Sequence, residues 1–427
     1  MMKKPFFGLS KPRVVYPPFL DTFPTPTPIT TPDRVTLLID GALTSVDPEV
    51  LKKGNTVRTG QRISLSKDTT GYAISSITGE ISDISLFKGD FGKSYVAVTI
   101  DAAKTEAYDE AFGTVAAAPS LKGAIDFLMA VPGSPPLSVF SNKEKPIHTI
   151  VIQAEDRELM VFTNGYIASR RFDSLKNGID ILKKISGVQK AVLVTSRDRI
   201  QNYGTISAEV KAVERTYPSA FPLSVMRDLL GMVVPAGNTP EDMGVVFFSA
   251  EAVSAVGDAF GTARLPVKKV ITLIHKDGHQ SLLEARIGTP IREVVAAGGE
   301  SLSDGDRLIL GGPLTGRAIY SEAHPVEPDT DAIMIQDKSD VPFVSDYPCI
   351  NCGECNRVCP THVPISMLVR FLEAGAYQGG ADEYDLYSCI ECGLCSYVCV
   401  ARIPIFQYIR LAKYELSRLR AAEANNA

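Results

Sequence analysis

The sequence predicts a multidomain chain of mixed α/β and α+β class. Three observations predict it. At 427 residues the chain is long enough for two to four domains. Its patterning changes style along its length, from glycine-punctuated short strands to strands alternating with helices. All eight cysteines lie in the last fifth, in two runs of the same spacing. Apolar residues at 45% and charged residues at 22% are ordinary for a globular protein. A net charge of −5, with no basic stretch interleaved with aromatics, argues against nucleic acid as a partner. The start "MMKKPFFGLSKPR" reads as no signal peptide, because Pro5, Ser10 and Lys11 break its apolar run. No window of about eighteen apolar residues exists to span a bilayer.

Residues 1–32 read as an extended proline-rich arm, with "PPFLDTFPTPTPITTP" at 17–32. Residues 33–103 carry alternating runs closed by Gly54, Gly60 and Gly79, the signature of tight turns in a small β sandwich. Their V-x-x-G-x-x-V-x-x-G-x-x-I phrasing resembles the lipoyl-type barrel. Such carriers present a modifiable lysine at a hairpin tip, but the matching turn here is Thr78-Gly79-Glu80 and Lys67 lies outside it. A packing module is therefore expected.

Residues 104–265 predict a Rossmann-like α/β layer. "HTIVIQA", "KAVLVTS" and "MGVVFFSA" suit buried parallel strands, and Ser174–Ile185 and Ala208–Arg215 carry helical patterns between them. Residues 266–325 give a strand pair, a short helix after Gly288-Thr289-Pro290 and a strand ending in glycines. This stretch resembles the soluble-ligand-binding β-grasp module. A charged stretch, "SEAHPVEPDTDAIMIQDKSDVP", leads into residues 340–424.

That last region holds "CINCGECNRVCP" and "CIECGLCSYVCV". Cysteines this close seldom suit disulfide geometry. A structural zinc uses pairs separated by a longer loop. Four thiolates in C-x2-C-x2-C-x3-C spacing suit the bacterial-type ferredoxin run, in which the fourth cysteine ligates the other cluster. The expected ligand sets are Cys349, Cys352, Cys355 and Cys399 for one [4Fe-4S] cluster, and Cys389, Cys392, Cys395 and Cys359 for the second. Thiolate clusters without a leader place the chain in the cytoplasm. A helix over roughly 365–374 should stop at Gly375, and Pro404 should open another whose far face carries Arg410, Lys413, Arg418 and Arg420. The five histidines are scattered, and His275 and His279 read as a polar hairpin tip.

The order of barrel, α/β layer, β-grasp module and twin-cluster domain resembles the RnfC family, the C subunits of Rnf ion-translocating electron-transport complexes. The motifs that carry the resemblance are the two cysteine runs, Tyr217-Pro218, "VPAGNTPEDMGVVF" and "GGPLTG". It implies a peripheral subunit on the cytoplasmic side of the cell membrane. Such a subunit passes electrons between a soluble donor or acceptor, a ferredoxin or a cytochrome, and the integral-membrane and iron-sulfur subunits of a translocase. It also implies FMN and NAD(H), bound by a G-x-G-G-A-G-F-P-T loop. Here that loop reads "AVPGSPPLSVFSNKEK", where only Gly133 remains and Pro132, Pro135 and Pro136 have no N–H to donate. Glu155 survives from the family's A-E pair, but Asp156 and Arg157 replace what should follow it. The expected outcome is a retained fold with a damaged or lost flavin and nicotinamide site, so a one-electron conduit without dehydrogenase activity of its own. The alternatives are a soluble relative feeding a cytosolic reductase, an ordinary FMN/NADH-binding subunit, and a ligand-binding scaffold with structural clusters.

Overall fold

A computed structural model describes residues 14–16, 23–67, 70–345 and 347–426, with side chains to 423. The first sheet contains strands Arg34–Asp40, Ser94–Ala102, Gly79–Lys88 and Thr56–Val57 in that spatial order, and a two-stranded ribbon joins Arg62–Ser64 to Tyr72–Ile74. Alternation along Arg34–Asp40 buries Val35, Leu37 and Ile39 against Val96, Val98 and Ile100. Thr78-Gly79-Glu80 is not an exposed tip. Gly79 begins a strand and lies against the Asp101 carbonyl, which a Cβ would approach to 2.0 Å. The outward tip of this unit is instead the turn Asp90–Gly92.

The second sheet is wholly parallel, in the order Glu209–Val213, Lys190–Ser196, Thr149–Gln153, Val245–Ser249. Its central strands read as continuous apolar runs because both faces are covered. Helices Phe172–Ser186 and Ala250–Thr262 pack so closely that a Cβ on Gly257 would meet the Ser174 carbonyl at 1.9 Å. The sequence reading of a helix at Ala208–Arg215 is corrected: Glu209–Val213 is an edge strand in register with Val192–Ser196. Eight residues are too few to separate a period of 2 from one of 3.6.

The third sheet has six strands, in the order Thr27–Pro28, Gln280–Arg286, Lys268–Ile274, Ala332–Gln336, Arg307–Leu310, Arg317–Ile319. Ala332–Gln336, inside the charged lead-in, is one of its central strands. The proline-rich arm lies partly outside the described residues. Its described parts are laid on the body: Thr27–Pro28 pairs with Leu283 and Glu284, and Val15 bridges Thr216. The C-terminal unit is helical, with Ile365–Glu373 and Ile405–Asn426 enclosing a core of Leu368, Leu372, Ile409, Ala412 and Leu416. The helix expected near 365–374 is present, and Gly375 follows it at φ 71°.

Candidate iron-sulfur centre

Both cysteine runs fold by one device repeated at the offset that separates Cys349 from Cys389. Asn351 and Glu391 each have φ 56°, and Gly353 (75°) and Gly393 (73°) begin the short helices Glu354–Val358 and Leu394–Tyr397. His362 (59°) and Arg402 (54°) repeat it beyond the fourth cysteines. Left-handed residues beside helical ones turn successive N–H groups into one concavity, the form of many anion and iron-sulfur sites. The repeat extends to the fastening: Asn356 Oδ1 accepts from Ser366 N (2.8 Å), and Ser396 Oγ accepts from Phe406 N (2.8 Å).

The eight thiols are free and surround two small cavities. One is lined by Cys349, Cys352, Cys355 and Cys399 with Val369, Ile403 and Ile405. The other is lined by Cys359, Cys389, Cys392 and Cys395 with Leu394, Phe406 and Ile409. Each therefore takes three sulfurs from one run and the fourth from the other. Among the described residues no three Cys, His, Asp or Glu side chains converge as on a single ion. A four-iron cube needs wider spacing, because each thiolate binds a different iron. Burial pushes Cys355 and Cys389 up to about 11 and Cys392 to about 12. Coordinated iron would hold them as thiolates. Backbone N–H groups of Glu391 and Ile403 donate to Cys389 Sγ and Cys399 Sγ at 3.4 Å. The donor set fits two cubane clusters.

The two cavities sit differently. Around the first, Cys352 is exposed, as are Tyr347 and Ile350. The second faces inward, where Ile390, Glu391 and Phe406 also line a cavity of about 850 Å³ against the parallel sheet. Of the basic residues on the C-terminal helix, Lys413 reaches the second run. Its Nζ donates to the Cys389 carbonyl (2.7 Å) and to Glu391 (2.8 Å).

The proline-rich loop forms part of the wall of the large cavity. Gly133 N–H donates to Pro328 O, Ser134 N–H to Val131 O, Leu137 N–H to Pro135 O and Val139 N–H to Pro136 O, so these amides are all spent inside the protein. Gly133 packs on the neighbouring helix start, where a Cβ would meet Ala252 N at 2.4 Å. That helix start is itself occupied, with Ala252 N–H on Ser249 Oγ and Glu251 N–H on Asn164 Oδ1. Lys145 is paired with Asp242 at 2.5 Å.

Glu155 accepts from Ser196 N and Thr195 Oγ1, and burial raises it to about 7. Asp156 caps helix Thr163–Arg170 through the Asn164 and Gly165 amides, and burial raises it to about 6. Glu158 accepts from the Thr315 amide and hydroxyl. Arg157, Arg317 and Arg410 also line this cavity, but Arg317 and Arg410 are paired with Asp90, and the loop at 131–139 has spent the amides that would cradle a flavin phosphate.

The fold and the cysteine sites define an iron-sulfur protein with a ferredoxin-like dicluster unit, and a 4Fe-4S dicluster domain model matches residues 342–400. The chain is 28% identical over 411 residues to the C subunit of the proton-translocating ferredoxin:NAD(+) oxidoreductase complex of Clostridium ljungdahlii, covering 90% of this chain and 88% of that protein. It is 29% identical over 223 residues to the C subunit of the ion-translocating oxidoreductase complex of Pseudomonas aeruginosa, covering 50% of this chain. The match spans 29% of that Pseudomonas protein and 47% of its Rhodobacter capsulatus counterpart, so it covers less than half of each. The relatives it resembles are C subunits of ion-translocating oxidoreductase complexes, and the likeness to the Clostridium protein runs along most of the chain. A solved NAD+-reducing [NiFe]-hydrogenase has a chain similar to this one at 15% identity and TM-score 0.46, over 74% of this chain and 69% of that one. A likeness at that level decides nothing about function.

Proposed function

We propose that this protein is the peripheral iron-sulfur electron-transfer subunit of an Rnf-type translocase, carrying single electrons through two [4Fe-4S] clusters and binding neither FMN nor NAD(H). The observation that carries the reading is the sorting of eight sulfurs, three and one, into two cavities of one packed unit. Cys349, Cys352, Cys355 and Cys399 would hold one cluster, and Cys389, Cys392, Cys395 and Cys359 the other. The clusters supply one-electron redox chemistry when bound. The chain's own residues hold the thiolates, exclude water with Ile403, Ile405, Leu394 and Ile409, and offer N–H groups to the sulfurs.

The spent amides of the loop at 131–140 and the carboxylates facing it support the loss of the flavin site. The three sheets and their order support the lipoyl-like, Rossmann-like and β-grasp readings of residues 33–103, 104–265 and the stretch from 266, whose sheet runs past the expected end at 325 to Gln336, with a ferredoxin-like unit at 340–424. Among the described residues no helix is long and apolar enough to cross a membrane. The reading assigns attachment to protein partners, the integral-membrane and iron-sulfur subunits of such a complex, at the cytoplasmic face, in line with the C-subunit relatives it resembles.

Anaerobic reconstitution followed by analysis of iron, acid-labile sulfide and released flavin tests the reading. About eight irons and eight sulfides per chain with negligible flavin are expected. Four irons, or zinc in their place, would overturn it.

A further inference from the structure

Two motifs far from the cysteines in sequence, Tyr217-Pro218 and "GGPLTG", meet at one peptide. The buried Tyr217 phenol donates to the carbonyl of Cys392 at 2.7 Å, across 175 residues of sequence. On the next residue, a Cβ at Gly393 would come within 2.3 Å of the Leu314 carbonyl. The loop that carries Leu314 is fixed in turn. Thr315 N and Oγ1 donate to Glu158 Oε2 at 2.6 and 2.5 Å, and Glu158 lies over Gly312, where a Cβ would meet its Cγ at 1.9 Å. Tyr217, Phe221, Cys392, Leu394 and Val398 share one small core at this seam. Arg227 Nη1 reaches the Pro360 carbonyl, beside Cys359, at 3.1 Å. These fastenings from outside the helical unit fall on or beside ligands of the second cavity.

Building on the functional reading above, we propose that Tyr217 is a positioning residue for the second cluster and sets its potential apart from that of the first. The carbonyl and N–H of a trans peptide point opposite ways. The unit whose carbonyl Tyr217 holds therefore carries the Gly393 N–H on its other side, and Gly393 lines the second cavity. A hydrogen bond to the carbonyl polarises the whole amide and strengthens its N–H as a donor. N–H groups near cluster sulfurs stabilise the added electron and raise the reduction potential. Removing the phenol hydroxyl leaves a buried carbonyl unpaired and weakens that donor, so the second cluster becomes harder to reduce. The first cavity has no such link to Tyr217 among the described residues.

The test is an EPR-monitored redox titration of the reconstituted full chain, with Cys359→Ser identifying the second cluster's signal as the one it removes. Tyr217→Phe should move that signal to a more negative midpoint and leave the other in place. Tyr16→Phe, which deletes a hydroxyl bonded to the Arg157 carbonyl rather than to a cysteine, should move neither. Equal shifts of both signals, no shift of either, failure to load either cluster, or an equal effect of Tyr16→Phe would each overturn the inference. A wild-type chain with one cluster would overturn the functional reading as well.

Discussion

Phe91 lies flat on Tyr414, with ring centroids 4.8 Å apart and planes 16° from parallel. The pair joins the outward hairpin tip of the first sheet to the C-terminal helix of the iron-sulfur unit. Arg410 reinforces it, with its guanidinium 5.4 Å from the Phe91 ring centre and 3.5 Å from Asp90, which also pairs with Arg317. The first sheet thereby contacts the cluster unit through its hairpin tip. Phe91→Ala removes the stack and the cation–π contact together, a loss of about 1–2 kcal/mol. Limited proteolysis should release the C-terminal unit faster in this variant, with the cluster spectrum unchanged. An unchanged cleavage rate would show that the stack does not brace the two units.

Stability should depend on pH through Glu155. Burial raises its carboxyl from an ordinary 4.5 to about 7, against the Ser196 amide bond that lowers it. Between those values the folded chain keeps a proton that the unfolded chain has released, so stability falls as pH rises from about 4.5 to 7. Its edge on the large cavity keeps some water contact, which trims the cost to about 2–3 kcal/mol. Glu155→Gln keeps an oxygen for Ser196 N and Thr195 Oγ1. It should raise the unfolding temperature at pH 8 and leave it nearly unchanged at pH 4.5, read by thermal unfolding at the two values. Equal effects at both would refute the shift.

Cys355 and Cys359 stand four positions apart in one run but line different cavities. Cys355→Ser should deplete chiefly the first cluster and Cys359→Ser chiefly the second, measured by EPR of the dithionite-reduced variants. Loss of the same signal in both would mean that each run holds its own cluster.

Much of this was legible in sequence because it depends on local spacing. The two cysteine runs fix their own turns, and "KAVLVTS" has one way to be buried on both faces. The parallel strands and the stop at Gly375 follow the same logic. The strand at Glu209–Val213 was not legible, since its edge position is decided by Lys190–Ser196 and not by its own pattern. Nor was the central place of Ala332–Gln336, whose short run is hidden among charges. Tyr217 and Lys413 touch the second run only through tertiary packing. The loss of amides at Pro132, Pro135 and Pro136 could be read directly. That Gly133 spends its remaining N–H on Pro328 could not, because Pro328 comes from a distant turn, just before the strand Ala332–Gln336.

The claim that this chain conducts single electrons without a flavin is tested most directly by optical titration of the anaerobically reconstituted protein. Each charge-assisted bond to phosphate that the loop lacks would contribute about 1.5–3 kcal/mol, so two or three missing weaken binding by several powers of ten. Dithionite should bleach the broad iron-sulfur absorption, while NADH, with or without added FMN, should leave it unchanged. Bleaching by NADH together with stoichiometric bound FMN would contradict the account and make the chain a dehydrogenase subunit.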